Sequence, residues 1–277
     1  MTRRFWTASL AGALSVGAWS AFAPVFAPAF ADDPLPSAES ILDRYVQVTG
    51  GKQAYENRKS EIATGTLEYA AQGVKGTITR YEAEPDKYFA VLDIPGIGKI
   101  EMGVTGGVAW ENSAILGPRI KDGEEKRQAI REATMNATLN WRKLFPKVEN
   151  VGIETVDGQE CYKVVQTPAE GNPETTYFQK KSGLAVKTTI VAASQMGDVP
   201  VEVMVANYKN FGGVLAPAKV TQKAASQEFT ITLDKVEVNV DIPVNRFALP
   251  PEVRALVDKS ANKSPDKSTD KSKAAGK

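Results

Sequence analysis

A long series of short segments with alternating apolar and polar residues, from about Ser60 to Asn239, constrains the fold most strongly. Turn residues such as Gln72-Gly73, Pro95-Gly96 and Gly106-Gly107 separate these segments. The connections are long enough only for hairpins, so we expect an antiparallel meander. About eleven strands in one local order exceed what a flat sheet usually holds, and the sheet should therefore curl into a half-open barrel.

The predicted strands form two groups on either side of one predicted helix, which makes the fold class mainly β (α+β). The strands are predicted at residues 62–70, 76–82, 87–94, 99–105 and 108–112, and then at 149–156, 161–167, 175–179, 184–192, 201–208, 218–224 and 228–240. Asp122-Gly123-Glu124-Glu125 resembles a capping box and predicts one long helix that reaches about Arg142. One face of this helix would carry Ile130, Ala133, Ala137 and Trp141.

A shorter helix is predicted before the first strand. Ser37 is suited to be its N-cap, and Glu39 lies favourably in its first turn. An apolar stripe at helical spacing follows, and Gly50-Gly51 ends the helix. We therefore expect helices both before the sheet and in its middle.

The N-terminal segment, residues 1–31, has the pattern of an export signal. Arg3 and Arg4 precede an apolar, alanine-rich stretch, and Ala29-Phe30-Ala31 is a small-x-small cleavage site. We therefore predict export to the periplasm and cleavage after Ala31. The sequence leaves open whether export uses the general or the twin-arginine route.

The C-terminal segment differs in composition from the rest of the chain. Residues 257–277 are dominated by Lys, Ser, Asp and Ala and contain no aromatic residue, so we predict a disordered tail. Residues 32–256 are long enough for one well-buried domain. Removal of the signal would take away two arginines and no acid, which leaves a nearly neutral protein and gives no indication of nucleic-acid binding.

The chain contains no histidine. This absence excludes the commonest general base, the commonest zinc ligand and every Ser-His or Cys-His pair. Carboxylates could still act in pairs, and the candidates by spacing are Glu124 with Glu125, Glu84 with Asp86, and Glu228 with Asp234. Each pair is explained more simply by its place in a turn, in a helix start or on a strand. We expect no enzyme activity, no metal and no cofactor.

Successive strands share one bulky apolar face, which could be packed core or the lining of a ligand cavity. Examples are Ile100 and Met102 on one strand and Phe229 and Ile231 on another. If the helices are too few to fill a curled sheet, part of this face lines a cavity. The predicted apolar pocket comprises Leu92, Ile100, Met102, Trp110, Ile130, Trp141, Phe229 and Ile231.

Several short motifs together resemble the periplasmic outer-membrane lipoprotein-sorting carrier family, the LolA and LolB proteins. They are the segment from Gly76 to Glu84-Pro85-Asp86-Lys87-Tyr88, the hairpin that ends in Gly106-Gly107-Val108-Ala109-Trp110, and the closing Phe247-Ala248-Leu249-Pro250-Pro251. The resemblance implies an unclosed antiparallel barrel under a helical lid, with acyl chains of lipoproteins between sheet and lid. The family has an arginine directly before this proline that helps to hold the lid, and this chain has Glu84 there.

We therefore expect a monomeric, non-catalytic periplasmic protein that binds the acyl chains of a lipid or lipoprotein during transport within the cell envelope. Envelope membrane proteins are further candidate partners, and nucleic acid is not. Two alternatives stay open. The barrel could be fully packed and serve as a structural or interaction module, or carboxylates could hydrolyse a bound glycan or lipid.

Overall fold

The computed structural model describes residues 34–194, 197–225 and 227–262, and the predicted export signal lies outside them. Thirteen strands form one antiparallel sheet. The strands are β1 (Ser60–Tyr69), β2 (Val74–Ala83), β3 (Lys87–Ile94), β4 (Gly98–Thr105), β5 (Val108–Ser113), β6 (Gly117–Ile120), β7 (Lys147–Val156), β8 (Gln159–Thr167), β9 (Glu174–Gln179), β10 (Ala185–Ser194), β11 (Gly197–Phe211), β12 (Val214–Ala224) and β13 (Gln227–Val238).

The sheet consists of two meanders, β1–β6 and β7–β13, that join where β13 pairs with β1. The two edges of the sheet are β6 and β7, so the sheet is not closed into a full barrel. At this join, the register shifts between Thr64 and Gly65, which marks a bulge. The prediction of an unclosed, mainly antiparallel sheet is therefore confirmed.

Helices cover one face of this sheet. They are α1 (Ala38–Val48), α2 (Gly51–Glu56), α3 (Gly123–Glu132) and α4 (Trp141–Leu144), and α5 (Pro251–Asn262) follows the last strand. Ser37 is the N-cap of α1, as predicted, and its hydroxyl oxygen accepts a hydrogen bond from the Ser40 backbone N–H.

Helix α3 shows how strongly the sheet curls. It contacts both β5 and β10, which have seven strands between them in the sheet. In a flat sheet these two strands would lie about 38 Å apart, whereas a helix with its side chains is only about 10–12 Å wide. One helix can touch both strands only because the sheet is curled. The face that carries α1, α3 and α4 is called the concave face below.

Two predicted elements differ from the structure. The sheet has thirteen strands rather than about eleven. Twelve of them correspond to the predicted ranges, and the additional strand, β6, is only four residues long and contains Pro118, which weakens its strand pattern. The single long central helix is wrong: α3 ends at Glu132, and the irregular segment 133–140 precedes α4. Asn136 has a φ of 56°, which a continuous helix does not allow, and the backbone N–H of Met135 donates to the Pro85 carbonyl at 3.1 Å.

The predicted boundary of the C-terminal tail also needs correction. Helix α5 continues to Asn262, so residues 257–262 are helical rather than part of a disordered tail. Val253 of α5 is fully buried and packs with Phe89, Trp110 and Phe247 on the face opposite α3. The remainder of the predicted tail lies outside the described residues. Among those that are described, no helix is both long and apolar enough to cross a membrane.

Candidate functional site

The concave face carries nearly all of the bulky apolar residues that the sequence assigned to one face. The strand register places Leu92 and Ile100 opposite each other on this face, together with Met102. In the other meander, Phe229 and Ile231 follow the same face, since Ile231 pairs with Leu67 of β1. Two cavities lie between this face and the helices above it.

The first cavity, called the aromatic cavity, has a volume of about 230 Å³ and lies beneath α1 and α4. Its lining residues are Leu42, Tyr45, Ala137, Thr138, Trp141, Phe145, Gln166, Thr176, Phe178, Ala185, Thr188, Val205, Tyr208 and Pro217. The rings of Tyr45 and Phe178 meet edge to face, 5.3 Å apart between centroids. These aromatic side chains make its wall predominantly apolar.

The polar groups in the wall of the aromatic cavity bind one another. The side-chain amide of Gln166 donates to the Thr176 hydroxyl oxygen at 3.3 Å. The Thr176 hydroxyl oxygen in turn lies 3.3 Å from that of Thr188. The hydroxyls of Tyr45 and Tyr208 are 3.3 Å apart, and Tyr208 donates to the Ala185 carbonyl at 2.9 Å. These groups therefore do not need a polar ligand to satisfy them, whereas the buried indole N–H of Trp141 in the same lining has no acceptor among the described residues.

Side-chain bonds at its rim hold the helices over the aromatic cavity. The Arg142 guanidinium of α4 donates two hydrogen bonds, both 2.7 Å long, to the Asp43 carboxylate of α1. These bonds lower the pKa of Asp43. Arg44 donates to the carbonyls of Lys180 and Lys181, both at 2.9 Å, and so ties α1 to the turn after β9. All of these bonds lie at exposed positions, where such contacts open readily.

The second cavity, called the charged cavity, has a volume of about 260 Å³ and lies between β2–β5 and α3. Its lining residues are Arg80, Glu82, Tyr88, Met102, Gly103, Val104, Trp110, Lys121, Ala129, Glu132 and Ala133. Small residues allow α3 to approach the sheet here, since Ala133 packs against Val104 and Ala109. The longer polar side chains then extend into the space beside the contact.

Two sets of ion pairs border the charged cavity, which Arg80 and Glu82 of the first set and Lys121 of the second line directly. In the first, Glu61 is 1% exposed and accepts hydrogen bonds from Arg58 and Arg80, with 2.7 Å between Arg80 Nη2 and Glu61 Oε1. Arg80 Nε also lies 3.0 Å from Glu82 Oε1. Two cations and two carboxylates thus neutralise each other.

The second set lies at the strand edge. Arg119 donates to Glu111 at 2.8 Å and to Glu125 at 2.7 Å. Lys121 Nζ lies 3.4 Å from Glu125 Oε1 and 3.8 Å from Glu111 Oε2. This set is also neutral as a whole.

Glu132 and Tyr88 remain outside both sets. Glu132 accepts a hydrogen bond from Gln128 at 3.1 Å, and its side chain stays accessible from the cavity. The surrounding protein nevertheless raises the pKa of Glu132, against the effects of Gln128, Lys121 and Arg131. Burial also raises the pKa of Tyr88 to about 12. Among the residues that the structure describes, the Tyr88 hydroxyl has no hydrogen-bond partner.

Helix α3 is held to the far side of the curled sheet by a second group of charges. Arg131 lies 3.4 Å from Glu124 and 3.7 Å from Glu174 of β9. Burial raises the pKa of Glu174 to about 7, although Arg131 opposes this rise. Gln128 accepts a hydrogen bond from the Ala193 backbone N–H at 3.4 Å. The cover of the concave face therefore rests partly on a carboxyl group that titrates near neutral pH.

The structure distributes the eight predicted pocket residues over several places. Trp141 borders the aromatic cavity and Met102 borders the charged cavity. Leu92, Ile100, Phe229 and Ile231 are half-buried on the concave face between them, and Ile130 packs against the cluster of Val104, Ala109 and Ala133. The eight residues do not form a single pocket.

The side chain of Trp110 lies on the face opposite α3, although the residue also borders the charged cavity. Its ring stacks on Phe89 at 6.0 Å between centroids and lies over Gly103, where an added Cβ atom would come within 2.8 Å of the ring. The residue that faces α3 from the same strand is Ala109. The rings of Trp110 and Trp141, both assigned to the predicted pocket, therefore lie on opposite faces of the sheet. The smaller Ala109 permits the contact with α3.

Two of the three carboxylate pairs that the sequence offered as catalytic candidates have members that bind cations. Hydrogen bonds from Arg127 and Arg131 lower the pKa of Glu124 despite its partial burial, and Glu125 belongs to the ion pairs at Arg119. Glu84 pairs with Lys59 at 2.9 Å on the surface. It does not hold the helical cover, whose contact in this region is the backbone bond of Met135 to Pro85.

Sequence reasoning missed the larger part of both linings. Helical spacing predicts the apolar stripe of α1 but does not assign Leu42 and Tyr45 to a cavity. The same reasoning gives Arg80, Glu82 and Glu132 no role in a site. One sequence signal could have placed two of them: side chains alternate along a strand, so Arg80 and Glu82 lie on the same strand face as Ile78.

Comparison with known proteins identifies the fold. No protein-family model and no curated protein sequence matches the chain. The chain is similar to the crystal structure of a LolA superfamily protein from Nitrosomonas europaea, with 11% identity, a TM-score of 0.53, and coverage of 78% of this chain and 99% of the other. It is also similar to that of a DUF1329 family protein from Desulfovibrio piger, with 11% identity, a TM-score of 0.52, and coverage of 76% and 97%. At this identity the chain shares the fold seen in LolA superfamily and DUF1329 proteins.

Proposed function

We propose that this protein is a non-catalytic carrier or binding protein for lipid or lipidated protein, exported to the periplasm and acting between the membranes of the envelope. The observation that carries the proposal is the aromatic cavity, an apolar space between a curled sheet and a helical cover. The amide of Gln166 and the hydroxyls of Thr176 and Tyr208 already have partners, so an acyl chain would leave these groups satisfied. The shared fold with a LolA superfamily protein supports the same interpretation.

The size of the aromatic cavity implies that its cover moves when a ligand binds. At about 230 Å³ it is smaller than the roughly 300–1,000 Å³ of typical small-molecule sites. The segment from α3 to α4 is irregular over residues 133–140, and Arg142 fixes α4 to Asp43 at an exposed position. Outward movement of α4 would join the cavity to the half-buried residues Ile231 and Phe229.

A chain-length series of fatty acids tests the proposal. Each methylene withdrawn from water contributes about 0.8 kcal/mol, so affinity should rise about fourfold per added carbon until the cavity is full. Trp141→Ala should weaken binding of every member, and the matched control Ile115→Ser, at an exposed turn residue, should not. Native mass spectrometry of protein purified from its own envelope should show bound acyl-chain species. Protein that carries no acyl-chain species and shows no saturable binding of fatty acids would reject the carrier function.

A second candidate function is an interaction module for another envelope protein. The observation in its favour is the edge strand β7, where Val151 is 53% exposed and Ile153 is 45% exposed. An open edge with apolar side chains can pair with a strand of a partner. A stoichiometric protein partner that is lost with Ile153→Lys, in a protein that binds no lipid, would favour this function.

A further inference from the structure

Glu132 is the one charged residue in the lining of the charged cavity that has no ion-pair partner among the described residues. The Arg58, Arg80, Glu61 and Glu82 set is neutral, and so is the set of four around Arg119. Glu132 has no cation of its own, and its one hydrogen bond comes from the neutral Gln128. When it is ionised, the cavity therefore contains one unpaired carboxylate.

The charges on α3 do not remove this imbalance. Arg131 is shared between Glu124 and Glu174, and Arg127 lies 2.9 Å from Glu124 and 3.7 Å from Glu170. These two arginines thus face three carboxylates before Glu132 is counted. Glu132 is thus a carboxylate that is accessible from the cavity and lacks a paired cation, which favours a ligand that brings a positive charge.

The neighbours of Glu132 suit an ammonium group in particular. Tyr88 lines the same cavity and offers an aromatic ring and a hydroxyl oxygen that has no hydrogen-bond partner among the described residues. An alkylammonium can donate to a carboxylate and to a hydroxyl oxygen, and it is attracted by aromatic faces. Met102 and Val104 add apolar surface for the carbons next to the nitrogen.

We infer that the charged cavity binds the ammonium group of an amine-bearing ligand, with Glu132 as its counter-ion. The inference rests on the proposed function, since an amphiphile bound along the concave face would place its acyl chain toward the aromatic cavity and its head at α3. The amine could belong to a lipid headgroup or to a free small molecule. Lys121 and Arg80 also line the cavity, each within an ion-pair set.

Competition between two lysophospholipids of equal chain length, against a bound fluorescent fatty acid at pH 8, tests the inference. Lysophosphatidylethanolamine should compete about tenfold better than lysophosphatidylglycerol, because a charge-assisted hydrogen bond to Glu132 is gained. Glu132→Gln should abolish the preference and retain binding of both lipids. Glu252→Gln, at an exposed position on α5, is the matched control and should keep the preference.

The outcomes separate the inference from the function on which it rests. Equal competition by both lipids in the unaltered protein would overturn ammonium binding while the carrier function stands, and so would a preference that survives Glu132→Gln. Failure of both lipids to compete, with no saturable binding of the fluorescent fatty acid, would reject the carrier function itself. Calorimetric titration with ethanolamine shows whether the amine belongs to a lipid headgroup or to a free small molecule. Glu132-dependent binding of ethanolamine supports a free amine, and binding only of the lipid supports a headgroup.

Discussion

The aromatic cavity and the charged cavity lie on the same concave face, but their walls differ in chemistry. Rings and methyl groups make up most of the first wall, and its few polar groups bind one another. Ion pairs border the second, and Glu132 has no cation as a partner. Buried polar groups generally require partners, and most of those in each wall find them within the protein. The difference shows how one curled sheet can offer both an apolar and a polar binding region.

The largest effect is expected outside both cavities, at Trp110. Its ring packs with Phe89, Phe247 and Val253 on the opposite face, so Trp110→Ala should reduce the free energy of unfolding by about 3–5 kcal/mol. Fatty-acid affinity measured well below the melting temperature should not change. Chemical denaturation and a binding titration of the same variant check both parts. A loss of affinity with little loss of stability would assign Trp110 to the site after all.

The charged wall should be more sensitive to the loss of a charge than the aromatic wall is to the loss of a polar group. Glu61→Gln leaves Arg58 and Arg80 without their shared carboxylate, which should cost about 1.5–3 kcal/mol. Thr188→Val in the aromatic wall serves as the comparison and should cost less, because Thr176 retains Gln166 as a partner. Urea denaturation of both variants measures the difference. Equal costs would remove the distinction between the two walls.

The pH dependence of stability should come from Glu174, whose carboxylate faces Arg131 of α3 on the concave face. Glu174 has a pKa of about 7 in the folded protein, whereas an unperturbed glutamate has a pKa of 4.5, so the folded state binds more protons between these values. Its contribution to stability therefore falls as the pH rises from about 4.5 through 7. Glu174→Gln should raise stability by about 1–2 kcal/mol at pH 8 and have little effect below pH 4.5. Thermal unfolding at both pH values checks the sign, and a variant that is less stable at pH 8 would contradict it.

The smallest effect on stability is expected at the rim of the aromatic cavity. Asp43→Asn removes the charge that holds Arg142 and should leave the melting temperature nearly unchanged, since the pair is exposed. Exchange of a bound fluorescent fatty acid should become faster, because α4 is released. Glu84→Gln, which breaks the exposed pair with Lys59, is the matched control. Equal exchange rates in the two variants would show that α4 does not gate the cavity.

Much of the sheet could be predicted because its signals are local. Alternation along each strand and glycine-containing turns such as Gly106-Gly107 specify hairpins without reference to the rest of the chain. Ser37 could be identified as an N-cap for the same reason. The break after α3 could not be predicted, because the bond from Met135 to Pro85 joins residues that are distant in sequence.

The composition of the site was harder to predict than the fold. A polar residue on a strand usually faces solvent, and only the curl of the sheet under α3 encloses Arg80 and Glu82. The predicted orientation of Trp110 is wrong because bulk alone does not identify the inner face. The inner face uses the small Ala109 at that point so that α3 can pack closely. Tertiary packing decided both cases.

The two tryptophans of the protein after residue 31 lie on opposite faces, which allows the most direct test of acyl-chain binding on the concave face. Trp110→Phe leaves Trp141 at the aromatic cavity, and Trp141→Phe leaves Trp110 on the other face. A brominated fatty acid should quench the fluorescence of the Trp110→Phe protein in a saturable manner and should leave that of the Trp141→Phe protein nearly unchanged. Saturable quenching in the Trp141→Phe protein alone, or none in either, would contradict an acyl-chain site on the concave face.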